Sequence, residues 1–87
     1  MDVSRVVFVA EMYEQMLKRY GHEPKNCSSD IGGPLEATAH VLWMCGQLKR
    51  IALEDMDKAC RWLGFIQGVL WTRGFYTIDE MREHNCG

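Results

Sequence analysis

Apolar residues recur along this chain at helical spacing, and three long stretches carry the pattern. In the first, Val3, Val6, Val7, Ala10, Tyr13, Leu17 and Tyr20 fall on one face, while Ser4, Glu11, Gln15 and Lys18 line the other. Phe8, Met12 and Met16 add a second apolar row, which predicts a buried arc wide enough to touch more than one partner helix. Gly21 follows Tyr20 as a stop. Residues 21–33, GHEPKNCSSDIGG, read as a loop, and a loop this long in a small domain is usually functional or mobile.

Pro34 then suits the first turn of a second helix, predicted from Leu35 to about Arg50. Its apolar positions are Leu35, Ala39, Leu42 and Cys45, with Val41, Met44 and Leu48 beside them. The opposite stripe is Glu36, His40, Trp43, Gln47 and Arg50. A break over Ala52 to Asp55 leads to a third helix, about Met56 to Arg73, with Gly74 behind it. Met56, Ala59, Cys60, Leu63, Ile66 and Leu70 make its predicted core face, with Trp62, Phe65 and Val69 alongside. Thr77 and Glu80 then have the spacing of a capping box, and Tyr76 and Met81 that of a hydrophobic staple, ahead of a brief helix from Ile78 to about His84. The pattern predicts one all-α domain over residues 1–87, a small bundle of three main helices plus a short C-terminal helix.

Composition narrows what such a domain can do. Its 87 residues suit a single core, and a small one, so stability should be modest unless oligomerisation adds to it. Ten bases against twelve acids provide no cationic excess to displace counterions from duplex DNA, which argues against a nucleic-acid partner. The same balance lacks the dense acidic surface of a DNA mimic. The apolar run Val6–Ala10 is too short for a secretory signal and is flanked by Asp2 and Glu11. The longest apolar stretch, Leu63 to Trp71, falls far short of the roughly 20 residues that span a bilayer, so no membrane is expected. Cys27, Cys45, Cys60 and Cys86 are therefore expected as free thiols in a reducing cytoplasm, with Cys45 and Cys60 on apolar helix faces as small hydrophobes.

Candidate chemistry is thin. No CxxC or HxxxH pair is present, and His22 and Cys27 lie in the loop without a fixed frame, so no metal or other cofactor is expected. Ser28, Ser29 and Asp30 look like turn chemistry, no glycine-rich phosphate loop occurs, and no enzyme is expected. Gly64 and Gly68 carry more information. Inside a helix each costs about 0.8–1.0 kcal/mol relative to alanine, and one turn apart they make a shallow groove. The commonest compensation is the first or second helix packing into that groove. The alternative is another chain. Trp43, between His40 and Gln47 on the polar stripe, is either a partner contact or part of a broad core. Trp62 is expected in the core and Trp71 near the surface. The candidate partner-binding residues are thus His40, Trp43, Gln47, Arg61, Gly64, Gly68 and Trp71.

The segments RYGHEP (19–24), HVLWMCGQL (40–48) and RWLGFIQGVLWTRGFYTIDEMREHN (61–85) resemble small proteins of unassigned role from accessory and early regions of tailed phages and prophages of Gram-negative bacteria. The resemblance covers most of the chain, apart from the first few residues and the middle of the loop. It implies action in the host bacterial cytoplasm and brings no catalytic residues with it. Proteins of that kind act by occupying a surface on a host machine such as a nuclease, a CRISPR complex, a polymerase or a regulator. The leading expectation is an interaction protein that modulates or inhibits a host protein, with a homodimer as a further expectation. The alternative is a helical, dimeric transcription regulator with one helix in the major groove. Against it, the third helix has only Lys58, Arg61 and Arg73 as cations.

Overall fold

The computed structural model describes residues 1–86. Among these the chain forms four helices and no strand: α1 (Val3–Arg19), α2 (Pro34–Glu54), α3 (Met56–Thr72) and α4 (Ile78–Cys86). The α2 helix lies between α1 and α3, and α1 also touches α3 and α4, as its wide apolar arc predicts. Val6, Val9, Ala10, Tyr13 and Leu17 from α1 meet Val41, Leu42, Cys45 and Leu48 from α2, and Ala59, Leu63, Ile66 and Leu70 close the core from α3. No helix among the described residues is long and apolar enough to cross a membrane.

Each helix start carries a cap. The Asp2 carboxylate accepts from the backbone N–H of Arg5 at 2.8 Å, opening α1. Pro34 stands in the first turn of α2, where its missing N–H costs nothing, and the Glu36 side chain reaches back to the N–H of Gly33 at 3.2 Å. The break after α2 is shorter than the sequence pattern suggests. Because Ile51 and Ala52 are buried, the helix continues to Glu54, and Asp55 alone makes the turn. Its N–H closes α2 on the Ile51 carbonyl, and its carboxylate accepts from the N–H of Lys58 to open α3.

Two helix ends share one geometry. Gly21 (φ 87°) and Gly74 (φ 79°) take the left-handed conformation that only glycine adopts cheaply. Each lets the following residue fold back: His22 donates to the Leu17 carbonyl and Phe75 to that of Leu70, the Schellman pattern. These two residues also meet, with the rings of His22 and Phe75 6.1 Å apart and Tyr20 5.6 Å from Phe75. The C-terminal ends of α1 and α3 are therefore pinned to each other. Arg73, at the end of α3, donates from Nε to the buried Thr38 hydroxyl at 3.0 Å, which itself donates to the Pro34 carbonyl.

The fourth helix is held by polar groups. Tyr13 is fully buried, and its hydroxyl accepts from Gln67 Nε2 at 2.9 Å, which directs its proton to His84 Nδ1 at 2.7 Å. Gln67 and Asn85 pair through both amides, at 2.8 and 3.1 Å. The Arg5 guanidinium donates to the carbonyls of Glu83 and His84 at the end of α4. Burial pushes the Tyr13 phenol up to about 12. The capping box at the start of α4 is complete, with Glu80 N–H on the Thr77 hydroxyl at 3.0 Å and Thr77 N–H on the Glu80 carboxylate at 2.9 Å.

Several side chains sit differently from the periodic pattern. Cys60, Phe65, Leu35 and Phe8 are exposed, because α2 and α3 bury narrower stripes than their composition offers and Phe8 lies off the contact line of α1. Cys45, by contrast, is buried, and burial pushes its thiol up to about 12. The loop is tied down at two points. Lys25 N–H donates to the Ala39 carbonyl, and Cys27 N–H donates to His40 Nδ1 at 3.0 Å.

Two predictions follow from the attachment of α4. Thr77→Ala should cost about 0.5–2 kcal/mol in denaturant unfolding, and an unchanged midpoint would show that the cap contributes nothing. Burial chiefly holds the His84 ring below its ordinary pKa; Glu80 pulls the other way, and Arg5 adds to the lowering. The unfolded chain therefore takes up a proton at higher pH than the native one. Stability should fall as pH drops from about 7 through the ordinary histidine value and level off below the native one. Thermal melts across that window should lose this component in His84→Gln, and a profile identical to the wild type would refute it.

Candidate functional site

The seven candidate contact residues divide between two helices, and the structure treats the two groups differently. On α2, Trp43 is half-buried in the seam with α3, its ring 5.4 Å from His40 and 6.2 Å from Trp62. The two-sided core has drawn it in from the polar stripe. His40 spends its Nδ1 on the Cys27 N–H and so anchors the loop. Gln47 accepts from Arg50, its neighbour on the same helix. His40 and Trp43 thus support the seam with α3, while the bond of Gln47 stays within α2.

On α3 the picture is open. The core side of the helix is Ala59, Leu63, Ile66 and Leu70, and Gly64 and Gly68 lie on the opposite side. No neighbouring atom lies within 4 Å of where a side chain would begin on either glycine. This overturns the expectation that α1 or α2 packs into the glycine groove: the start of α2 borders the groove but reaches neither glycine. The glycines instead form part of an open groove of about 710 Å³, walled by Pro34 and Ala37 from α2 and by Phe65 and Trp71 from α3. Phe65 is 56% exposed and Trp71 54%. Arg61 is exposed on the same side of α3, one turn before Gly64.

Sequence reading missed part of this face. Phe65 falls on the core flank of the periodic pattern, yet it borders the groove and is exposed.

A second, smaller depression, between the loop and α2, brings together Cys27, Asp30, Glu36 and His40. Among the described residues no three His, Cys, Asp or Glu side chains are arranged to hold a metal ion. Every buried side-chain nitrogen or oxygen among them has a hydrogen-bond partner, so no orphaned polar group points to a missing ligand.

Compared with known proteins, the chain matches no family model, no curated protein and no solved structure. The α3 face is apolar and concave, two large aromatic side chains border it, and its central residues are glycines that serve no packing purpose inside the monomer. Such a surface can bury the side of a helix or a flat apolar patch.

If the glycines are open, filling them with the smallest side chain should help the isolated fold. Gly64→Ala and Gly68→Ala should each add about 0.8–1.0 kcal/mol to unfolding free energy at dilute protein concentration. A loss of stability in both would mean that the monomer packs something there.

Proposed function

We propose that this chain is a small helical binding protein whose contact surface is the outer face of α3, and that its partner is a protein of a host cell. The observation that carries the proposal is the uncovered glycine pair: Gly64 and Gly68 have open space above them while Phe65 and Trp71 stand exposed beside them. Large aromatic residues around a close-approach site are what interfaces use as anchors, and contiguous exposed apolar surface on a small domain marks a place of contact. The resemblance to phage proteins supplies the setting. There, a chain of this size modulates or inhibits a host machine by covering a surface that the machine needs.

The alternative of a DNA-reading helix finds less support. Of the three cations on α3, Arg73 is committed to Thr38, and Lys58 lies over the Trp62 ring at 5.7 Å. Arg61 is the one of the three without such a contact, which is too little free charge for a phosphate backbone.

The test is affinity capture from Gram-negative bacterial lysate with the wild type and with the double variant Gly64→Leu, Gly68→Leu. The variant should keep its helical circular dichroism and melt no lower, since no atom lies within 4 Å of a Cβ at either position and leucine favours the helix over glycine, yet lose the captured protein. Equal capture by both would place the contact elsewhere on the molecule.

A further inference from the structure

We infer that the outer face of α3 is covered, in the absence of another partner, by a second copy of the chain lying antiparallel, with Arg61 of each copy against Trp71 of the other. The inference rests on the reading of this face as a contact surface and names its occupant.

The argument begins with spacing. Arg61, Gly64, Gly68 and Trp71 are separated by three, four and three residues, so the pattern is symmetric about the midpoint between the two glycines. At about 100° per residue all four fall within one arc of the helix, and that arc is the one opposite the core. A two-fold axis through the midpoint sets Gly64 level with Gly68 of the second copy and Arg61 level with its Trp71. A two-fold interface has to be self-complementary in this sense, each residue meeting a different residue that it suits.

Charge then selects the direction. Arg61 forms no salt bridge and no side-chain hydrogen bond among the described residues, whose ion pairs involve Lys18, Lys49 and Arg82. The exposed Trp71 ring carries no cation either; the two cation–ring contacts present are Arg5 with Phe8 and Lys58 with Trp62. Antiparallel pairing supplies each with the other, twice over by symmetry. Tryptophan is the best aromatic partner for such a contact. Parallel pairing would instead set Arg61 against Arg61, two like charges at one level of an apolar contact. At the centre, glycine opposite glycine lets the helix axes approach toward the short end of the range of roughly 8–10 Å. A host protein that uses the same face must then displace the second copy.

Sedimentation equilibrium over a concentration series tests this directly. The wild type should pass from monomer to dimer mass as concentration rises. The double variant Gly64→Leu, Gly68→Leu should remain helical by circular dichroism and stay monomeric. Arg61→Glu and Trp71→Ala should each weaken self-association about tenfold, since each removes both symmetry-related contacts. A wild type that is monomeric at every concentration up to about 1 mM overturns the proposal, and so does a dimer of undiminished strength in the glycine double variant. Loss of the dimer in that variant with no effect of Arg61→Glu and Trp71→Ala overturns the antiparallel register. The lysate experiment separates the two levels of argument. A monomeric wild type whose capture of host protein is lost in the glycine variant leaves the contact surface standing and removes the second copy from it. A monomeric wild type with capture unchanged in the variant removes both.

Discussion

A phenol hydroxyl placed at the centre of a helical core has to find hydrogen-bond partners there, and the partners of Tyr13 decide where the last part of this chain goes. An unpaired buried hydroxyl costs on the order of 1–3 kcal/mol, a serious penalty in a domain this small. Gln67 from α3 and His84 from α4 answer it, and Asn85 completes the amide pair with Gln67. Three helices are thus joined at one oxygen. The α4 helix buries only Met81 fully, so its position depends on this network, on the Arg5 guanidinium over its last carbonyls and on the T-shaped contact of Tyr76 with His84. The neutral His84 ring fits that role, because Nδ1 must accept the Tyr13 proton.

The other end of the bundle is closed by backbone geometry. Two glycine-dependent turns bring Tyr20, His22 and Phe75 together, and the Arg73–Thr38 bond ties the end of α3 to the start of α2. With α1, α2 and α4 secured on its inner side and at both ends, α3 keeps a face that the start of α2 borders but does not cover. The groove is a consequence of the topology: α3 is an edge helix, and its outward residues are the ones that periodicity places opposite Leu63, Ile66 and Leu70.

Much of the fold is legible in the sequence because local rules and periodicity agree. The helix starts at Pro34 and Thr77, the stops at Gly21 and Gly74, and the rows Val6–Ala10–Tyr13–Leu17 and Leu63–Ile66–Leu70 need nothing from distant residues. Exposure is less legible. A helix with apolar residues on most of its circumference does not say which of them lose the contest for the core, so Cys60, Phe65, Leu35 and Phe8 read as buried or flanking when they face outward. The junction at Asp55 was blurred because Leu53 and Glu54 are exposed although their backbone remains helical. The polar network around Tyr13 has no sequence signature at all. Arg5, Gln67, His84 and Asn85 are brought together only by the packing of α1, α3 and α4, and each alone looks like an ordinary surface residue. The bonds that hold the loop escape notice for the same reason, since their donors are backbone N–H groups of Lys25 and Cys27.

The candidate surface was half legible, and the structure reversed the meaning of the half that was. Two glycines in a helix interior point to close approach, and the nearest available explanation is a neighbour in the same chain. Open space above both glycines removes that explanation and leaves the energetic question in place. Domains of this kind have a net stability of only about 5–15 kcal/mol, so nearly 2 kcal/mol forgone at two exposed positions is a substantial share. Alanine at either position would fit the monomer. Within the proposal, the compensation comes from outside the monomer: bare backbone at the centre of a contact allows the close approach that any Cβ would prevent, and Phe65 and Trp71 supply the buried area around it. The small core and the open helix face are then two sides of one arrangement, in which part of the stability that the isolated chain forgoes returns when the face is covered.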